Sequence, residues 1–252
     1  MAGSDRVVAL TAIDRQQIIR HYQTRSPIDV IPGGVDLDRF SPTPRAKARA
    51  TLGLQPNQKA VLFVGRIQRL KGLEVLVRAF ARLGDLDARL LVVGGQPGTS
   101  HEAREISRLQ HLVARLGLGD RTSFVGAVAH ERLPLYYSAA DVTVMPSSYE
   151  SFGLVAVESL ACGTPVVATR VGGLTSIVHD GETGVLVPWR DAEMFAESLR
   201  RVLEDTALQQ RLAKNARKSV LGYGWDRIAD EHLALYEDVR AASRPHIVAA
   251  SS

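Results

Sequence analysis

Along this chain, short runs of apolar and β-branched residues alternate with stretches whose apolar positions recur every three or four residues. The first pattern predicts strands, the second helices. "RVVALT" (6–11) and "IDVI" (28–31) predict short strands on either side of the helical "AIDRQQIIRHY". "PTPRAKARATLG" predicts a helix opened by prolines and closed at Gly53. Fuller strands follow at "KAVLFVG" (59–65), "ARLLVVGG" (88–95), "RTSFVG", "DVTVMPSS", "PVVAT" and "GVLVP". Between them lie helical stretches: "LKGLEVLVRAFARLG", with Leu73, Leu76, Val77 and Phe80 on one face, then "HEAREISRLQHLVARLGLG", "HERLPLYYSAA", "FGLVAVESLACG" and the short "GLTSIVHDG". Residues from about 190 to 241 predict three further helices.

Near-continuous apolar strands alternating with helices predict a parallel sheet covered on both faces, a doubly wound Rossmann-like α/β domain over residues 57–222. Ligands of such sheets sit outside the carboxyl ends of the strands. The polar signals "GRIQRLKG", "GGQPG", "GAVAHE", "PSSYESFG" and "TRVGG" all fall at that edge. Residues 1–56 are too sparse for a domain of their own and read as the tail of something preceding them. Residues 242–252 read as a disordered tail.

Composition narrows the function. At 252 residues, 45% hydrophobic and 23% charged, the chain is an ordinary globular mix. A net charge of +4 suits an anionic ligand, and no basic stripe with interleaved aromatics marks a nucleic-acid surface. The single cysteine, Cys162, allows no intrachain disulfide and reads as an inert buried residue. "MAGSDRVVAL" has no signal-peptide core, and no run is long enough to cross a bilayer, so a cytoplasmic location is expected, with attachment to the inner membrane face as a variant.

The candidate chemistry sits in two stretches. In "GRIQRLKG", Gly65 ends a strand and lets a ligand approach the backbone, while Arg66 and Lys71 flank a loop. Converging there, the two cations would neutralise a diphosphate; otherwise they are solvated surface charges. In "SYESFGLVAVE", Phe152, Gly153 and Leu154 open a helix whose free amides attract anions. Glu150 precedes that helix and Glu158 lies just over one turn into it. A carboxylate accepts two hydrogen bonds from a vicinal diol, which suits ribose or a hexose; the alternative makes Glu150 a capping acid and Glu158 a surface residue. "VVGGQPG" (Gly94, Gly95, Gly98) and "VGG" (171–173) read as plain turns. The histidines form no metal pattern, and His130 reads as the cap of a helix.

Together, "GRIQRLKG" and "ESFGLVAVESLACGTPVVATRVGG" resemble the donor-binding domain of the family 4 retaining glycosyltransferases, which have the GT-B fold. Glu150 and Glu158 match that family's E-x7-E pattern, "IPGGVDLDRFSP" (31–42) its interdomain linker, and "FVGAVAHERLPLYYSAADVTVMPSSYESFG" its run into the site. The resemblance implies that Arg66 and Lys71 hold the donor diphosphate, that Glu150 and the backbone of Phe152, Gly153 and Leu154 hold the sugar and distal phosphate, that Glu158 binds the ribose and that the backbone near Val128 meets the base. It implies a nucleotide-diphosphate-sugar donor, a UDP-sugar by preference, a sugar or polyol acceptor, and no cofactor or metal. It also implies a partition into a remnant of an N-terminal domain (1–24), a linker region (25–56), the nucleotide-sugar domain and a crossover helix (223–241). The missing N-terminal half would come from a separate domain or from self-association. Ser159 and Leu160, and Thr175 and Ser176, depart from the family's usual residues; the second pair is expected to loosen the site. Competing readings are a nucleotide-binding chain without turnover, and a glycosidase using Glu150 and Glu158 as its acid pair.

Overall fold

The computed structural model describes residues 4–95 and 100–242. The doubly wound sheet expected from the alternation is present. Six parallel strands, β3 (Lys59–Val64), β4 (Ala88–Val93), β5 (Thr122–Gly126), β6 (Val142–Met145), β7 (Val166–Thr169) and β8 (Gly184–Val187), lie in the order β5-β4-β3-β6-β7-β8. The chain moves outward from β3 in one direction, returns to β6 beside it, and moves outward in the other. The loops after β3 and β6 therefore meet at the switch point, where such sheets bind ligands.

Alternate strand residues feed two separate cores, which is why the strands are apolar almost throughout. Ala60, Leu62, Leu91, Val93, Val166 and Ala168 pack on one face, beneath α2 (Arg45–Thr51), α5 (Leu133–Ala139) and α6 (Leu154–Ala161). Val61, Phe63, Leu90, Val92, Val144 and Val167 pack on the other, beneath α3 (Leu73–Ala81), α4 (Ser100–Arg115) and α8 (Ala192–Glu204). α7 (Leu174–Ile177) follows β7, and α9 (Thr206–Ser219) contributes to both cores. At the amino edge of the sheet, buried Asp141 accepts from the Ala60 amide and pairs with Arg45 and Arg49, pinning α2 to the strands. The segment from 45 on thus packs as part of this domain rather than as a free connection.

A second, smaller unit precedes it. β1 (Val7–Ala9) and β2 (Ile28–Val30) pair in parallel around the crossover helix α1 (Ala12–Tyr22). β2 is the strand expected at "IDVI", and it pairs with β1 although it falls within the stretch 25–56 that the resemblance assigns to a linker region. The last helix, α10 (Trp225–Ala242), divides its apolar residues. Ile228 and Leu235 are buried against Ile31, whereas Trp225, Leu233 and Tyr236 are exposed. The connection between the units is tied to α10: the Val35 amide donates to the Tyr223 carbonyl at 2.8 Å, and the indole of Trp225 occupies the space a Gly34 side chain would fill.

Candidate active site

Lys71 ends a single 3-10 turn, Arg69–Lys71, between β3 and α3. Gly72 then takes a left-handed conformation (φ 68°), and an added Cβ there would collide with the Pro146 carbonyl of the loop after β6. The Ser148 amide donates to the Leu70 carbonyl at 2.8 Å, so the two loops are fastened together. This brings the Lys71 ammonium to Glu150, 79 positions away in the sequence, where it donates to Oε2 at 2.6 Å. Both side chains are mostly buried.

Glu150 is therefore no helix cap. The N-cap of α6 is Gly153 (φ 106°), which offers no side chain, and the amides of Gly153, Leu154 and Val155 find no acceptor among the described residues. These open donors sit beside the ion pair. A crevice of about 360 Å3 is lined by Lys71, Glu150, Phe152, Gly153 and Leu154, with Gly33 and Leu10 on its far wall. Phe152 is buried edge-on against Tyr223 at 5.7 Å. The "VGG" turn does more than reverse the chain: the Gly173 amide donates to the Glu150 carbonyl at 2.8 Å, and an added Cβ at Gly172 would strike that same carbonyl. Thr175, expected to loosen this region, closes the turn instead by donating to the Gly172 carbonyl at 2.9 Å.

Glu158 occupies a different environment. It lies in the second turn of α6, 8% exposed. The Tyr137 hydroxyl donates to Oε2 at 2.7 Å and His130 Nε2 lies 3.3 Å from Oε1. Burial pushes the Glu158 carboxyl above the usual carboxylate range, and these two donors work against that rise. Tyr137 is itself fully enclosed, so burial and the neighbouring carboxylate drive its hydroxyl well above the normal phenol range. Cys162 is buried, and its thiol is pushed up to about 12 by burial and by Glu158, an inert group as its apolar surroundings predicted.

His130 is not the helix cap the sequence suggested. α5 begins at Leu133 with no side-chain cap, and the His130 ring contacts Glu158, Arg39 and the edge of Phe40. His130, Tyr137 and Arg39 were missed as site residues.

The remaining candidates lie apart from the crevice. Gly65 follows β3 directly, with φ 147°. Arg66 is exposed and lines a neighbouring groove of about 820 Å3 with Gln68, Arg69 and Arg108, rather than the crevice that holds Lys71. Val128 is half-buried on the core beyond β5. Gly98 lies outside the described residues. Glu150 and Glu158 are each held by their own partners, Lys71 in one case and Tyr137 and His130 in the other, rather than posed as a facing acid pair. Among the described residues, no helix is long and apolar enough to cross a membrane.

A six-stranded parallel sheet with a crevice holding the Lys71–Glu150 pair at its switch point defines a doubly wound α/β protein. Residues 44–219 match the family model described as glycosyl transferases group 1, and the chain belongs to that family. It is 46% identical over 247 residues to the D-inositol 3-phosphate glycosyltransferase of Nocardiopsis dassonvillei, covering 96% of this chain and 57% of that protein. It superposes on sucrose-phosphate synthase from Thermosynechococcus elongatus with a TM-score of 0.90 at 42% identity, covering 96% of this chain and 60% of the other. Anabaena Alr3699/HepE, solved with UDP-glucose, superposes at a TM-score of 0.86 and 26% identity, over 93% of this chain and 64% of the other. Both solved structures have the GT-B architecture, and the chain corresponds to its C-terminal half. The chain spans little more than half the length of the curated relatives it matches.

Proposed function

We propose that this chain is the donor-binding half of an enzyme that moves a hexose from a nucleotide-diphosphate-sugar, a UDP-sugar by preference, to a sugar or polyol hydroxyl with retention of configuration. The observation that carries this reading is the Lys71–Glu150 pair, 2.6 Å apart, beside the uncapped tip of α6 at the sheet's switch point. An ammonium and three open amides form a cradle for linked phosphates.

In this reading the diphosphate lies against the open amides at the tip of α6 and the backbone of Phe152, Gly153 and Leu154, with Lys71 and, from the adjoining groove, Arg66 supplying positive charge. That charge matters most as the leaving diphosphate becomes more negative in the transition state. Glu150 steers the donor sugar and keeps Lys71 in place. Glu158 accepts from the ribose hydroxyls, and the backbone near Val128 contacts the base. The departing phosphate oxygen takes the acceptor's proton on the face from which it leaves, so the acceptor bonds on that face and configuration is kept. Residues 1–24 then belong to the acceptor-side domain and 223–241 to the crossover between the halves.

A second reading is nucleotide binding without turnover by this chain alone, favoured by its covering 57% of the Nocardiopsis relative. Calorimetric titration with UDP, GDP and ADP tests the shared part: UDP should bind most tightly, and Lys71→Ala should weaken it. Equal, undetectable binding of all three would overturn both readings. Sugar transfer from UDP-glucose after mixing with an N-terminal half of a relative separates them.

A further inference from the structure

The groups around His130 fix its protonation. Arg39 Nη1 lies 3.2 Å from His130 Nδ1, and a guanidinium has only hydrogens to offer. Nδ1 must therefore be the acceptor, which leaves the ring's hydrogen on Nε2. Nε2 is the atom that faces Glu158 Oε1, at 3.3 Å. Arg39 is itself anchored, by Asp36 at 3.5 Å and Glu131 at 3.9 Å. Phe40, fully buried, holds the ring edge-on at 5.0 Å. The other groups facing this cluster are the Tyr137 hydroxyl, on Glu158 Oε2, and the Cys162 thiol and Arg217 guanidinium beyond.

We propose that His130 is a positioning residue: a neutral imidazole, locked by Arg39 into the Nε2–H form, that donates to Glu158 and holds its carboxylate turned for nucleotide ribose. Arg39 lies in the segment that leads from the small β1–α1–β2 unit into the large sheet. Its placement is thereby transmitted to the ligand-facing acid through a single ring. The consequence for nucleotide rests on the ribose role given to Glu158 above; the protonation of the ring does not. Physically, the relay supplies one of the two donors that keep a largely buried carboxylate in acceptor form. Without it, burial acts against Tyr137 alone, and protonation would turn one carboxylate oxygen into a donor.

The test uses the 252-residue chain, ligand-free and with UDP. Long-range proton–nitrogen spectra of 15N-histidine protein should show His130 with Nε2 protonated and Nδ1 bare at neutral pH. Arg39→Met should release Nδ1, giving mixed tautomers. His130→Leu should weaken UDP by roughly five- to tenfold, the scale of one hydrogen bond. His130→Gln, whose amide can donate from nearly the same place, should restore most of it. The acid limb of UDP binding should also move to higher pH in His130→Leu, a change that simple loss of packing would not produce. An Nδ1–H ring in the parent protein overturns the relay outright. So does unchanged UDP affinity in His130→Leu when Glu158→Gln has lost it. If Glu158→Gln binds UDP like the parent while the ring carries Nε2–H, the ribose reading fails instead, and the positioning role falls with it.

Discussion

The two glutamates of the E-x7-E pattern are charged groups held in opposite ways. Glu150 meets a full positive charge, the Lys71 ammonium, at the mouth of a crevice open to ligand. Glu158 is buried and meets a phenol and an imidazole instead. An ion pair at a ligand's doorway can be re-partnered, because an arriving phosphate competes for the same ammonium. A buried carboxylate held by a phenol and an imidazole is set by folding. One pair of identical side chains is thus held in one case by an ion pair at a crevice and in the other by buried hydrogen bonds.

That contrast can be broken hardest at Gly172. Gly172→Ala puts a Cβ against the Glu150 carbonyl at a backbone φ of 44°. It should cost roughly 1–3 kcal/mol of stability in urea unfolding and abolish UDP binding, while the tyrosine–Glu158 bond persists. Next, Lys71→Ala should weaken UDP by roughly 10- to 100-fold in calorimetry, the worth of a charge-assisted bond. Adding Glu150→Ala should recover part of the stability lost, since no orphaned carboxylate then remains. Recovery of none would mean the pair is not coupled. Tyr137→Phe removes a donor from a buried acid and should cost about 1–3 kcal/mol of unfolding free energy, with less effect on UDP than Lys71→Ala. The smallest effect is a pH dependence. Because the folded protein raises the Glu158 pKa above its unfolded value, the native state holds more protons in the window just above the ordinary glutamate range. Stability from this group is therefore full below that window and declines as pH rises through it. Glu158→Gln lacks this decline, so the stability gap between variant and parent should widen in the variant's favour from pH 4 to 7. A constant gap would place Glu158 in a more solvated setting.

Much of this was legible before any coordinates. Period and strand composition located the strands and helices of the sheet because each strand must be apolar on both sides to serve two cores. The helix start at Gly153 and the loop that carries Lys71 were legible, because a glycine ahead of an apolar periodic run and the polar break after an apolar strand mark where elements end. The pairing of Lys71 with Glu150 was not: it follows from β3 lying beside β6, a fact of topology rather than of either loop. His130 was hidden for a similar reason. It sits 28 positions before its acid, and a histidine ahead of a helix looks like a cap until Leu133 is seen to start the helix uncapped. The separation of Arg66 from Lys71 was not legible, because two cations in one short loop share a neighbourhood in sequence, whereas the 3-10 turn at Arg69–Lys71 sets them on adjoining grooves.

The tie between Val35 and Tyr223 has a mechanical meaning. The polypeptide crosses between its small and large parts twice, once on the way in near Gly34 and once on the way out near Gly224, and the crossings touch. The small part is thus fastened to the large one at two neighbouring points of the chain, the first of them next to Gly33 on the far wall of the crevice.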